Sequence, residues 1–143
     1  MEKFNIMGTG LNYTSALESA LKVWETTRKC GFAIETDEFS HVIDLAYDER
    51  NTVFIITNKQ ENQKRLSDII AISKKITKQV FIVSDYALQQ KKTHILPGNI
   101  DCEFSPIVNV IPFQLLGAII AKSIGIDASN YPYDDIDGIA HLQ

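Results

Sequence analysis

Glu18, Lys22 and Glu25 fall on one side of a helical pattern, because seven residues make close to two turns. A glutamate four residues before a lysine adds roughly 0.2–0.5 kcal/mol to an isolated helix. Glu25, at the inner end of the stripe, could instead serve as a general base toward a carbon acid. Spacing alone leaves both readings open. Glu38 and His41 stand three apart in Asp37-Glu38-Phe39-Ser40-His41, a candidate short helix. A histidine beside a carboxylate can shuttle a proton near neutral pH, although a histidine in such a place is more often structural. Gly8-Thr9-Gly10 closes an apolar run and leads into a helix. Strand, glycine turn and helix N-terminus in that order bring backbone N–H groups to a place where an anion can meet them. Tyr13 occupies the position of the third glycine of a dinucleotide fingerprint, so a tight turn without a ligand stays equally open.

The elements that must carry these residues are legible in the hydrophobic pattern. Phe4–Met7, Thr52–Thr57 and Gln79–Ser84 are continuous apolar runs, the pattern of strands covered on both faces. Shorter strands are expected at Phe32–Ile34 and Thr93–Leu96. In the first helix Tyr13, Ala16, Leu17, Ala20, Leu21 and Trp24 form the expected core face. In a second, beginning near Glu61, Leu66, Ile69, Ile70, Ser73 and Ile76 or Thr77 repeat the spacing. Strand alternating with helix predicts an α/β domain with right-handed crossovers.

A long helix is expected from about Pro106 to Ile124, with Ser105 as N-cap, Gly125 as stop, and a kink or break at Pro112. It is apolar on every side, from Ile107 and Val108 to Ile119 and Ile120, which predicts burial in a subunit interface. Its apolar core, Ile107–Ala121, is shorter than the roughly 20 residues of a bilayer span and contains Asn109, Pro112 and Gln114, so a membrane anchor is not expected.

The chain has 143 residues, 45% of them hydrophobic and 22% charged, as expected of one globular domain. A net charge of −4 argues against nucleic acid or an anionic membrane as the main partner. Cys30 and Cys102 form no C-x-x-C pair, which suits a reducing compartment and suggests no zinc site. With no signal-peptide pattern visible, the expected location is cytoplasmic. Repeats and low-complexity segments are absent from the sequence. The expected division is a domain over residues 1–126 and an acidic tail over 127–143.

In combination these residues resemble the sugar isomerase (SIS) family. The similarity rests on Gly8-x-Gly-x-x-Tyr13-x-x-Ala-Leu-Glu18-x-Ala-Leu-Lys22-x-x-Glu25, then Glu38-x-x-His41, then Pro106-Ile-x-x-x-Ile-Pro112-x-Gln114. It is strongest to the second SIS module of glucosamine-6-phosphate synthases and fructosamine-phosphate deglycases. The resemblance implies a three-layer flavodoxin-like sandwich with a parallel sheet of about five strands, and packing of the apolar helix in a dimer or module interface. It implies Glu25 as the base that moves a proton between the first two carbons of an open-chain sugar phosphate, and His41 as the ring-opening residue, which in the synthase reaches the neighbouring subunit's site. Gly8, Thr9, Gly10, Glu18, Lys22 and Glu38 become candidate substrate-binding residues. No metal or organic cofactor is implied.

The family's first module binds phosphate through Ser-x-Ser-Gly; the matching turn here is Thr57-Asn58-Lys59-Gln60-Glu61, and an acid at a helix start disfavours phosphate. Val42-Ile43 replaces the usual Gly-Pro, and the last lysine is Lys122, with no equivalent of the synthase's Schiff-base lysine. The expected function is therefore the C-terminal half of a sugar-phosphate isomerase, aminotransferase or deglycase. It would act on a phosphorylated sugar or amino sugar as a homodimer or with a first-module partner. A non-catalytic phosphosugar-binding or regulatory module is the rival expectation.

Overall fold

The three continuous apolar runs and the two shorter strands join one parallel sheet, with the apolar runs in its covered centre. The computed structural model describes residues 3–41, 43–98, 100–130 and 133. In chain order the elements are β1 (Phe4–Gly8), α1 (Leu11–Thr27), β2 (Gly31–Glu35), α2 (Thr36–Phe39), β3 (Thr52–Thr57), α3 (Gln63–Ile76), β4 (Val80–Ser84), β5 (Thr93–Ile95) and α4 (Ser105–Ser123). The sheet order is β2-β1-β3-β4-β5, the flavodoxin-like doubly wound arrangement that the resemblance implies. Side chains alternate across the sheet. Phe4, Ile6, Phe54, Ile56 and Val83 meet Ala16, Ala20, Val23 and Phe113 on the α1–α4 face. Met7, Ile34, Val53, Ile55 and Ile82 meet Phe39, Leu66, Ile69 and Ile70 on the α2–α3 face. Two opposite cores explain why these strands read as apolar runs instead of alternating ones.

α3 follows its sequence pattern, with Leu66, Ile69, Ile70 and Ser73 buried and the Asn62 side chain capping the backbone N–H of Arg65 at 3.1 Å. The expected core face of α1 is only partly right. Ala16, Ala20 and Val23 are buried, but Leu17, Leu21 and Trp24 are about half exposed. The cause is a second neighbour. α1 lies against both the sheet and α4, so its inward positions are small residues, Ser15, Ala16, Ser19 and Ala20. Gly117 of α4 permits that approach, since a Cβ there would stand 2.3 Å from the Thr26 hydroxyl oxygen.

α4 also departs from expectation at three points. Its N-cap is Phe104, and the Ser105 hydroxyl donates to the Cys102 carbonyl instead of capping the helix. Pro112 neither breaks nor divides the helix, which runs unbroken from Ser105 to Ser123. Within one chain it is buried on one side only, through Asn109, Val110, Phe113, Gly117 and Ala121. Ile107, Ile111, Leu115 and Ile119, spaced by four, remain 45–70% exposed. The helical stretch Cys102–Ser123 covers 22 residues and is long and apolar enough to cross a membrane by length and composition, a test that the core helix of a soluble protein also passes.

Candidate functional site

The chain leaves β1 toward β2 and returns on the other side of β1 to form β3, so a crevice opens at the carboxyl ends of β1 and β3. It forms a cavity of about 370 Å³ whose polar walls are Thr9, Thr36, Asp37, Glu61, Asn62 and Arg65. Gly8 is required there by packing: an added Cβ would lie 2.3 Å from the Asn12 carbonyl oxygen, so only glycine lets α1 start this close to β1. Gly10 has φ of 57°, which favours glycine, and forms the N-cap of α1 without a side-chain bond. Across the crevice Arg65 Nε pairs with Asp37 at 2.7 Å, and its Nη2 donates to the Ser40 hydroxyl.

Glu61 joins three elements at this place. Asn12 Nδ2 and Thr57 Oγ1 each donate to its carboxylate at 2.7 Å, and Asn109 Nδ2 of α4 donates to Asn12 Oδ1 at 2.8 Å. Asn12 and Asn109 are buried, so the relay orients the Asn12 amide and obliges it to donate to Glu61. Burial pushes the Glu61 carboxyl above the usual carboxylate range, the charges of Asp85 and Glu35 push the same way, and the two donated hydrogen bonds oppose them. A carboxyl with a raised folded pKa binds more protons folded than unfolded. Stability must then fall as pH rises from the ordinary glutamate value through the raised one. Urea titrations across that acidic window should show this slope in the natural chain and its loss in Glu61→Gln.

Glu25 lies elsewhere. Lys22 Nζ sits 2.7 Å from Glu25 and 3.2 Å from Glu18, forming a surface triad in which the two hydrogen-bonded carboxylates raise the lysine pKa. Glu25 and Arg28 also line a cavity of about 660 Å³ with Trp24, Ser129, Asn130 and Tyr133. Residues 127–130 thus close on the end of α1 rather than leaving it. Arg28 caps α1 in the left-handed region at φ 56°, and its Nη2 donates to the Asn130 carbonyl at 3.0 Å. A non-glycine residue there costs roughly 1–2 kcal/mol and is held by its surroundings. The indole of Trp24 donates to the Gly31 carbonyl at 2.5 Å, which fixes the ring at the cavity wall. An acid, a guanidinium and two aromatic rings make a surface suited to a hydroxylated, anionic ligand.

The candidate residues therefore form two groups. Gly8, Thr9 and Gly10 stand at the start of α1, whereas Glu25 is fifteen residues beyond Gly10, about 22 Å along the axis. Glu38 and His41 follow the carboxyl end of β2, which is parallel to β1 with Glu35 opposite Gly8, so they belong to the Gly8 end. Both are exposed, and the His41 backbone N–H donates to the Glu38 carbonyl at 3.1 Å. One chain does not bring Glu25 and His41 together. Val42 lies outside the described residues. Asn12, Asn109, Glu61 and Arg28 were not singled out as site residues from the sequence. The signal for the two asparagines was their place at inward-facing positions of α1 and α4, where a buried amide needs partners.

No known family profile matches the chain. It is 30% identical over 122 residues to the isomerizing glutamine–fructose-6-phosphate aminotransferase of Lactiplantibacillus plantarum, an alignment taking in 85% of this chain and 20% of that protein. A solved structure assigned as a phosphosugar isomerase, from Clostridium difficile, superposes with a TM-score of 0.84 at 26% identity, over 97% of this chain and 39% of that one. The C-terminal domain of glucosamine-fructose-6-phosphate aminotransferase from Francisella tularensis gives 0.74 at 24% identity, over 88% and 37%, a likeness of fold. The chain spans about a fifth of the length of this aminotransferase and under two fifths of these solved chains.

Proposed function

We propose, from the premise that this chain is a sugar isomerase (SIS) domain, that it is the C-terminal module of a sugar-phosphate isomerase, aminotransferase or deglycase. The observation that carries the proposal is the cavity at the end of α1, where Glu25 and Arg28 share a wall with Trp24 and Tyr133. In it Glu25 takes a proton from the carbon beside the carbonyl of an open-chain phosphosugar and returns it to the neighbouring carbon, interconverting aldose and ketose. Lys22, held 2.7 Å away, orients the carboxylate for that first transfer. Arg28 favours an anionic substrate, and the aromatic rings pack against the sugar's C–H faces. His41, remote from Glu25 in one chain, serves as ring opener in the site of a second chain or module.

The sequence contains one tryptophan, Trp24, so its fluorescence reports directly on this cavity. Titration with fructose-6-phosphate and glucosamine-6-phosphate is expected to change it when a first-module partner carrying Ser-x-Ser-Gly is present, and weakly or not at all without one. A strong change in the isolated chain would overturn the need for a partner. No change in either setting would leave the non-catalytic module as the better reading, in which the Lys22 triad is a solvated helix face.

Assembly is part of the same proposal. Ile107, Ile111, Leu115 and Ile119 make an apolar ridge that an SIS partner, identical or first-module, would cover. Burial of such a surface contributes at about 25 cal/mol per Å². Ile119→Asp should convert the assembly seen by light scattering to monomer without loss of helical signal. Leu116 is unsuited to the test, because it packs against the core of its own chain.

A further inference from the structure

Among the described residues β5 ends the sheet and pairs with β4 alone. Its even-numbered neighbours make the ladder: Ile82 N–H donates to the Lys92 carbonyl at 2.9 Å, and Leu96 N–H to the Ser84 carbonyl at 2.7 Å. In a parallel strand the backbone groups of Thr93 and Ile95 must then point away from β4. Beside this open edge lies an apolar cavity of about 330 Å³, floored by Phe54, Phe81, Phe113 and Leu116 and rimmed by Lys91 and Lys92. The other side of the same lysine pair borders a cavity of about 360 Å³ lined by Lys74 and Lys78. Lys92 Nζ stands 4.7 Å over the Phe81 ring and donates to the Lys78 carbonyl at 2.8 Å. Among the described residues none of these four lysines pairs with a carboxylate. The charge is local, since the chain as a whole carries −4.

We infer that the β5 edge and its apolar, lysine-rimmed groove dock an extended acidic peptide segment of a partner protein, which pairs with Thr93 and Ile95 and places apolar side chains against Phe81 and Leu116. Lysine beside an edge strand also guards against unwanted strand pairing, but that role needs neither an apolar cavity nor positive charge on both sides of the edge. The open backbone edge distinguishes the occupant from nucleic acid, because strand addition uses main-chain N–H and C=O groups that only a peptide supplies. Carboxylates on the segment complement the lysines, so the association is salt-sensitive. The inference is independent of the Glu25 cavity, which lies at the end of α1.

The test uses a fluorescein-labelled peptide alternating aspartate with isoleucine or phenylalanine, followed by anisotropy with the whole chain. Saturable binding is expected, weakened about tenfold or more by the Lys91→Glu, Lys92→Glu double variant. Circular dichroism of that variant should match the parent. Methylating alternate backbone nitrogens of the peptide should weaken binding comparably, with the protein unaltered. Equal binding of a lysine-for-aspartate peptide, indifference to methylation, or no saturation at millimolar protein would each overturn the inference. So would lysine-dependent binding of a uridine oligomer in place of the peptide.

Discussion

Glu25→Gln is expected to lower turnover of a sugar phosphate by about 10²–10⁴-fold in the assembled pair of modules, while stability changes by no more than ~1 kcal/mol. Glutamine keeps the shape of the side chain and can still accept from Lys22, but it cannot take up a proton from carbon. The ion pair it replaces is half exposed and worth little, and Lys22 retains Glu18 at 3.2 Å. Rate and stability should therefore separate by orders of magnitude, which a structural role for Glu25 could not produce. Single-turnover kinetics and a urea titration on the same preparation make the comparison. In parallel His41→Asn should slow cyclic substrates more than acyclic analogues. Full turnover in both variants would reduce the stripe to a solvated helix face and the chain to a binding module.

Phe113→Ala should cost about 3–5 kcal/mol and lower the melting temperature by roughly 10 °C or more. Phe113 is 1% exposed and packs edge-on against Phe54 at 5.3 Å between ring centroids. Phe54 in turn stacks with Phe81 and Phe4, so one ring at the centre of α4 closes an aromatic row that crosses β1, β3 and β4. Removing it leaves a void that the sheet cannot fill, since the strands are held on their other face by α3. Thermal and urea unfolding measure the loss. A change under ~1 kcal/mol would mean that α4 does not dock on the sheet through this residue.

Local chemistry made much of this protein legible in advance. A strand buried on two faces has to be apolar throughout, so β1, β3 and β4 announced themselves, and their alternation with helical periods dictated a parallel sheet. The spacing of Glu18, Lys22 and Glu25 likewise determined a triad on one face of α1, because helix geometry leaves no other arrangement. What could not be read locally depends on which elements become neighbours. Leu17, Leu21 and Trp24 fit a core period, yet α4 occupies the side of α1 where small residues fit, and the larger ones turn outward. Pro112 reads as a helix breaker, but the packing of Val110, Phe113 and Gly117 on either side outweighs one missing hydrogen bond. The relay from Asn109 through Asn12 to Glu61 joins residues up to 97 positions apart, and no pattern of spacing encodes it. Tertiary structure alone also decided that Glu25 and His41 stand at opposite ends of α1, since strand direction and helix length set that distance, not proximity along the chain.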